Sequence, residues 1–182
     1  SRDMSYLVED LLVAARATMS DLSIVPADME VCSEVREAIG AITDPAAKTI
    51  DCVSDGELVV WSDPLRVRQI VRNLVSNAIK HGGGDVEVSV RATEGWAVIA
   101  VSDRGARLSR EQVVEIFEPY SRGPGPTVTG SVGLGLSVAR LLALRLGGDL
   151  QYQHDGGRNV FVLKLSMPYV AGRAGSTEQV VG

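Results

Sequence analysis

The segment from Ser62 to Gly84 constrains the fold most strongly, because it predicts one long amphipathic helix. Ser62 or Asp63 can cap its first turn, Pro64 suits the first helical position, and Gly82 ends it. One face is apolar and must be buried against another element of structure. That face carries Val71, Leu74, Val75, Ala78 and Ile79. The opposite face is polar and carries Arg66, Gln69, Asn73, Asn77 and Lys80.

Shorter patterns on both sides of this helix predict an α/β domain. The spacing of apolar residues predicts helices over 5–21, 33–42 and 134–148, with a short helical piece near 110–117. Strands are predicted within 21–31, 48–53, 58–62, 85–92 and 96–103, and a closing hairpin over 149–168. The strand over 96–103 is apolar on both faces, which predicts a central position. This order of elements predicts a two-layer α/β sandwich with three main helices.

Composition excludes several classes of function. The formal net charge of −5 gives no electrostatic support for a nucleic-acid partner. No run of about 18 apolar residues is present, and no signal peptide is recognisable, so we expect a cytoplasmic location without membrane contact by this chain itself. A membrane anchor elsewhere in a longer protein is left open. Cys32 and Cys52 lack metal-ligand spacing and are predicted to be small core residues rather than a disulfide.

The polar face of the long helix contains an unusual group of side chains. Asn73 and Asn77 are four residues apart, and Lys80 follows three residues later. Amide oxygens can bind Mg²⁺ together with water and phosphate oxygens, and a lysine ammonium suits phosphate. The alternative is an ordinary solvated helix face, which the sequence alone does not exclude.

Two further motifs contain residues suited to nucleotide binding. Gly130, Gly133 and Gly135 precede a predicted helix, where backbone N–H groups can approach a phosphate. Asp103 ends the predicted central strand beside Gly105, and its carboxylate could accept a hydrogen bond from the adenine amino group. A tight glycine turn and a surface aspartate are the simpler alternatives.

Four motifs in order carry a family resemblance. They are RQIVRNLVSNAIKH (68–81), VSDRGA (101–106), IFEPYSRG (116–123) and GSVGLGL (130–136). They resemble the N, G1, F and G2 boxes of the GHKL ATPase superfamily, in its sensor histidine kinase branch. The resemblance covers about residues 29–167 and implies the Bergerat fold, an α/β sandwich with a mixed sheet. SYLVEDLLVAARA (5–17) also resembles the end of the second helix of the family's dimerisation and phosphoacceptor domain.

The resemblance implies a role for each matching residue. Asn77 matches the Mg²⁺-binding asparagine, Asn73 is a second metal contact, and Lys80 matches the phosphate-binding lysine. Asp103 matches the adenine-binding aspartate, while His81 either packs near the base or is favoured by the helix dipole. Phe117 would anchor the lid and Arg122 would reach the phosphates. The remaining ATP-binding residues implied are Gly105, Ser131, Val132, Gly133, Leu134, Gly135 and Leu136.

The same resemblance implies the domain organisation and the partners. Residues 1–23 would be part of a dimerisation helix, 24–168 the ATP-binding catalytic domain with a lid at about 104–132, and 169–182 a flexible tail. The expected cofactors are ATP and Mg²⁺. Neither His81 nor His154 lies in a phosphoacceptor context, so the histidine to be phosphorylated is expected on a dimerisation domain upstream of Ser1. A response regulator is the expected next acceptor, and the full-length protein is expected to be a homodimer.

Position 73 separates kinase from hydrolase within this superfamily. The gyrase, MutL and Hsp90 type places a glutamate there to activate water, whereas Asn73 has no basic group at neutral pH. Phosphoryl transfer to a neutral imidazole needs no such base, which favours a histidine kinase. An anti-sigma-factor-like Ser/Thr kinase shares the boxes, but the stripe of apolar residues in the N-terminal helix argues against it.

One residue departs from the G1 pattern. Arg107 replaces the second glycine of Asp-x-Gly-x-Gly. If this position requires a positive φ, arginine would cost about 1 kcal/mol or more. Its side chain could also crowd the pocket or contact a phosphate. A pseudokinase that binds little nucleotide is therefore the alternative function.

Overall fold

The computed structural model describes residues 22–119 and 133–167, together with the helical residues Val8, Leu11 and Leu12. The strands are β1 (Ala27–Glu30), β2 (Cys52–Ser54), β3 (Val59–Ser62), β4 (Glu87–Thr93), β5 (Trp96–Asp103), β6 (Asp149–Asp155) and β7 (Arg158–Ser166). The helices are α1 (Val31–Gly40), a 3₁₀ helix (Pro45–Thr49), α2 (Pro64–His81), α3 (Arg110–Glu115) and α4 (Gly135–Arg145). None of the described helices is long and apolar enough to cross a membrane.

Five strands form one mixed sheet in the order β2-β4-β5-β7-β6. β2 pairs parallel with β4, and the other neighbours are antiparallel. β5 is the central strand, as its apolar residues on both faces predicted. β1 and β3 form a separate antiparallel pair, which the sequence did not predict. The predicted mixed α/β architecture is therefore confirmed, with a small additional sheet.

One face of the large sheet packs against the helices. On this face, residues of neighbouring strands lie directly opposite one another. Val101 of β5, for example, is paired with Val88 of β4 and with Phe161 of β7. All three belong to a core that also contains buried residues of α1, α2 and α4. Because side chains alternate along a strand, Asp103 shares the face of Val101 and lies at the end of β5. The core thus holds the carboxylate next to the helices.

α2 has the bounds that its sequence predicts. Asp63 rather than Ser62 caps it, since the carboxylate accepts a hydrogen bond from Arg66 N at 3.2 Å. Gln69 was expected on the solvated face, but it is buried at 1% exposure. Its Oε1 accepts a hydrogen bond from Arg66 Nη1 at 3.2 Å, which explains how a polar side chain is accommodated there.

The chain between α1 and β2 departs from the predicted pattern. A strand was expected from Lys48, but Pro45–Thr49 form a 3₁₀ helix capped by Asp44, which accepts a hydrogen bond from Ala46 N at 2.9 Å. α1 also begins two residues earlier than the sequence suggested, because Glu30 accepts hydrogen bonds from two backbone N–H groups of its first turn. Local capping decides both boundaries.

The two cysteines lie in the core between α1 and β2. Cys32 and Cys52 are buried free thiols with their Sγ atoms 2.8 Å apart. Burial raises the pKa of the Cys52 thiol, with the neighbouring Cys32 adding to the effect. Cys52 therefore stays protonated at neutral pH, as expected for a small core residue.

Candidate nucleotide-binding site

The end of α2 packs directly against the end of β5. A Cβ atom added at Gly82 would lie 2.4 Å from Cβ of Asp103, so only glycine permits this approach. The backbone continues the contact, because Arg104 N donates a hydrogen bond to the Gly82 carbonyl at 3.1 Å. The predicted N and G1 motifs, which are separate in sequence, therefore meet at one edge of the sheet.

Asp103 is a buried carboxylate with one oxygen fully engaged. Only 3% of the surface of Asp103 is exposed to solvent. Oδ1 accepts hydrogen bonds from Gly105 N at 2.7 Å and from Asn159 Nδ2 at 3.1 Å. Among the described residues, Oδ2 has no hydrogen-bond partner. A carboxylate oxygen without a donor, in a residue that is otherwise buried, is suited to accept a hydrogen bond from a ligand.

The residues after Asp103 leave no room for larger side chains at one position. A Cβ atom at Gly105 would lie 2.8 Å from the His81 carbonyl oxygen and 2.9 Å from Oδ1 of Asp103. Arg107 is different, since its side chain is exposed. Asp85 is the only non-glycine residue with a positive φ in the described part of the chain, so Arg107 avoids the strained conformation considered above.

The start of α4 lies against the polar face of α2. Asn73 Nδ2 donates a hydrogen bond to the Gly135 carbonyl at 3.0 Å. Gly133 has φ +72°, a conformation that favours glycine, and Leu134 is buried at the beginning of the helix. Within the described residues no side chain caps this helix, so its first backbone N–H groups are available to an anion.

Asn77 and Lys80 lie on the same face of α2 as Asn73, one and two turns further along. Asn77 is half-buried and Lys80 is exposed. The described residues contain no group of three or more His, Cys, Asp or Glu side chains that could hold a metal ion. A divalent cation at this site would therefore need amide oxygens, water and ligand oxygens, a set that suits Mg²⁺.

Comparison with known proteins identifies the family. Residues 62–169 match the sequence profile of the family described as Histidine kinase-, DNA gyrase B-, and HSP90-like ATPase. The chain belongs to this family. The match contains α2, β5 and α4, which are the elements that form the edge described above.

Several sensor histidine kinases are similar to the chain. The signal transduction histidine-protein kinase AfsQ2 of Streptomyces coelicolor is 33% identical over 91% of this chain and 31% of its own length. The sensor histidine kinase RppB of Synechocystis sp. is 29% identical over 93% of this chain and 40% of its own length. The chain thus spans less than half of these curated relatives.

A solved structure supports the fold. The histidine kinase AdeS of Acinetobacter baumannii has a TM-score of 0.73 at 23% sequence identity, covering 90% of this chain and 78% of that one. The chain therefore has the fold of a histidine kinase catalytic domain, as the order of its motifs predicted.

The F-box residue of this family member is packed against the core. The ring of Phe117 makes an edge-on contact with Phe161, with centroids 6.5 Å apart. The guanidinium of Arg140 on α4 lies 4.7 Å from the Phe117 centroid. These contacts fix the end of the described segment that begins with α3. The role of Phe117 as an anchor for the lid stays a prediction.

Some predicted residues lie outside the described part of the chain, and others were missed. Arg122, Ser131 and Val132 fall in the first group, together with the rest of the predicted lid over 120–132. Leu136 lies in the first turn of α4 and is half-buried. Gly82 was predicted only as a helix end, and Asn159 was not singled out. The strand register would have revealed Asn159, because it pairs with Asp103 across β5 and β7.

We expect the pKa of His81 to lie below the ordinary value for histidine. Partial burial lowers its pKa, and the positive charge of Lys80 lowers the pKa further. The nearby Asp103 carboxylate acts in the opposite direction but contributes less. Since the fold favours the neutral imidazole, its contribution to stability should be lost as the pH drops below about 6.5.

An NMR titration of the free protein tests this prediction. Lys80→Gln should raise the pKa of His81, whereas Lys164→Gln on β7 serves as a control and should leave it unchanged. A His81 pKa above 6.5 in the unaltered protein would contradict the expected environment.

Proposed function

We propose that this chain is the ATP-binding catalytic domain of a sensor histidine kinase. It transfers the γ-phosphoryl group of Mg·ATP to a histidine outside this chain, for relay to an aspartate of a response regulator. The observation that carries the proposal is the convergence of α2, the end of β5 and the start of α4 around Asp103 and Asn73. Membership in the ATPase family and similarity to sensor histidine kinases support it.

Asp103 is proposed to select adenine. Oδ2 is the available acceptor, and the adenine amino group is a donor in the matching position. Gly82 and Gly105 keep the space around this carboxylate small, since a Cβ at either position would contact Asp103. The base would therefore meet one acceptor, Oδ2 of Asp103, at a place where α2 packs closely against the end of β5, with His81 nearby.

Asn73, Asn77 and Lys80 are proposed to face the phosphates. Asn77 and Asn73 would supply amide oxygens to Mg²⁺, and Lys80 a positive charge. Asn73 Nδ2 is already bonded to Gly135, which leaves its Oδ1 for the metal. The N–H groups of α4 and the turn Gly133–Leu136 would contact phosphate oxygens. Bound Mg²⁺ would neutralise charge on the transferring phosphoryl group.

Position 73 favours transfer to a histidine over hydrolysis. Asn73 cannot take a proton from water, and its nitrogen is held by the Gly135 carbonyl. A neutral imidazole is already a nucleophile, so positioning and charge neutralisation supply what the reaction needs. This chain would therefore turn over ATP slowly unless a histidine acceptor is present.

The pseudokinase alternative loses its main argument. It required Arg107 to block the pocket or to strain the backbone. Arg107 is exposed and has no positive φ, so the structure around Asp103 forms with arginine in place. An exposed guanidinium at the start of the lid is compatible with a phosphate contact.

Calorimetric titration with a non-hydrolysable ATP analogue, with and without Mg²⁺, tests the proposal. We expect one-to-one binding that Mg²⁺ strengthens. Asn77→Ala should weaken binding in the presence of Mg²⁺ by about 10-fold, or about 1.4 kcal/mol. Ser76→Ala, one residue away on a different side of α2, is the matched control and should bind normally. No binding at millimolar nucleotide would contradict the proposal.

The remaining partners are proposals of the same kind. A dimerisation domain that carries the phosphoacceptor histidine, a response regulator and a homodimeric full-length protein follow from the similarity to sensor histidine kinases. The division at residues 23 and 168, the lid over 104–132 and the cytoplasmic location stay predictions.

A further inference from the structure

A hydrogen-bonded network extends from Asp103 to the far edge of the sheet. Asn159 of β7 pairs in register with Asp103 of β5 and with His154 of β6. Side chains that are directly opposite each other in antiparallel strands lie about 5 Å apart and can interact. Asn159 is only 6% exposed, so its amide needs partners within the protein.

The Asn159 amide has partners on both sides. Nδ2 donates to Oδ1 of Asp103 at 3.1 Å and to the Ala106 carbonyl at 3.2 Å. Oδ1 of Asn159 accepts a hydrogen bond from the Tyr152 hydroxyl at 2.7 Å and lies 3.2 Å from Nδ1 of His154. Two acceptors on the nitrogen side and a hydroxyl donor on the oxygen side leave one orientation for the amide.

Tyr152 connects this network to the beginning of the lid. Its hydroxyl accepts a hydrogen bond from Leu108 N at 3.1 Å while it donates to Asn159. Gly105 N, the Ala106 carbonyl and Leu108 N are thus all bonded to Asp103, Asn159 or Tyr152. The backbone over 105–108 is held by side chains of the sheet rather than by a turn of its own.

The two donors on Oδ1 determine which oxygen of Asp103 is available. Rotation of the carboxylate plane would break the hydrogen bond from Asn159 and leave one N–H of this buried amide without an acceptor, which is unfavourable. Oδ1 therefore stays with Gly105 and Asn159, and Oδ2 stays without a donor from the described residues.

We infer that Asn159 is a positioning residue for nucleotide recognition. It fixes the Asp103 carboxylate so that one oxygen is kept for the adenine amino group, and with Tyr152 it holds residues 105–108 in place. This inference rests on the proposed role of Asp103 in binding adenine. Asn159 acts through Asp103 and makes no contact with the base itself.

Asn159→Asp gives a test that a purely structural role would not pass. The introduced carboxylate has the shape of the amide but places a second negative charge beside Asp103, and it lacks the donor. At neutral pH we expect binding of a non-hydrolysable ATP analogue to weaken about 10-fold or more, since hydrogen bonds to charged groups are among the stronger ones. Two adjacent carboxylates repel each other and favour uptake of a shared proton in acid, which would restore a donor between them, so affinity should recover as the pH is lowered.

Three other ionisable side chains lie close to this network and could make nucleotide binding depend on pH. The comparison with the unaltered protein at each pH controls for them. His154 and Tyr152 face Asn159 from β6, and His81 faces Asp103 from α2. All three side chains are present in the unaltered protein and in the variant. The recovery is therefore measured as the ratio of the nucleotide affinity of the unaltered protein to that of Asn159→Asp at each pH. Asn159→Ala should weaken binding to a similar extent without any recovery in acid.

Base discrimination provides the second readout. The affinity ratio between ATP and GTP analogues should fall in Asn159→Ala and, by a smaller factor, in Tyr152→Phe, which removes only the hydroxyl behind the amide. Should Asn159→Asp fail to fold, Tyr152→Phe still carries the test. The inference is overturned if these variants keep the affinity and the ratio of the unaltered protein while Asp103→Ala loses binding. If Asp103→Ala binds normally, the proposed adenine contact is itself wrong, and the inference falls with it.

Discussion

Replacing Gly82 with alanine is expected to lower both the melting temperature and the affinity for adenine nucleotides. The added Cβ would lie 2.3 Å from the Ala78 carbonyl oxygen and 2.4 Å from Cβ of Asp103. Neither neighbour can move freely, because Ala78 belongs to α2 and Asp103 to the central strand. Overpacking of this kind costs about 1–3 kcal/mol. The same displacement would misplace the carboxylate that is proposed to bind the base.

Gly40→Ala is the matched control for Gly82→Ala. Gly40 is the last residue of α1, and a Cβ atom there would have no heavy atom within 4 Å. Thermal unfolding of the two variants, with and without the ATP analogue, compares the same chemical change at a crowded and an open helix end. Equal melting temperatures for the two variants would show that α2 and β5 can separate without cost.

Asp103→Asn is expected to abolish the preference for ATP over GTP. The donors Gly105 N and Asn159 Nδ2 will hold the remaining oxygen at the position of Oδ1, so the introduced amide nitrogen takes the place of Oδ2. Two donors would then face each other at the adenine amino group, whereas guanine presents an acceptor there. We expect ATP affinity to fall about 100-fold, since a hydrogen bond to a charged group is worth roughly 1.5–3 kcal/mol.

Competition between ATP and GTP analogues measures this change in one experiment. Asp155→Asn, an acidic residue at the exposed end of β6, serves as the control for the loss of one negative charge. An unchanged preference for ATP in Asp103→Asn would place the base elsewhere. A lower affinity for both nucleotides in equal proportion would indicate a general loss of structure rather than of base recognition.

The sequence predicted the scaffold well because its signals are local. The helix from Pro64 to His81 is bounded by a capping aspartate and a glycine, and its apolar face is regular. The strand over 96–103 is apolar at successive positions, which predicted its central place in the sheet. Such signals depend on a few neighbouring residues and survive in the folded protein.

The site was predicted less completely because its contacts depend on strand register. Asn159 becomes significant only when β7 is paired with β5, and Gly82 only when α2 is packed on Asp103. Gln69 was assigned to the solvated face because periodicity alone does not show that Arg66 donates a hydrogen bond to its buried side chain. The 3₁₀ helix at Pro45–Thr49 was missed for a similar reason, since the Asp44 cap outweighs a short strand-like pattern.

The hydrogen bonds that build the site join residues far apart in the chain. Asn73 and Gly135 are separated by 62 positions, and Asp103 and Asn159 by 56. Contacts of such sequence separation require the closure of long loops, which has an entropic cost and slows folding. A nascent chain that ends before β7 would therefore have no competent pocket, and nucleotide would act only on the completed domain. A ligand at 100 times its dissociation constant would add about 2.7 kcal/mol to the free energy of unfolding of that domain. Bound ATP would therefore offset the loss of stability in destabilised variants.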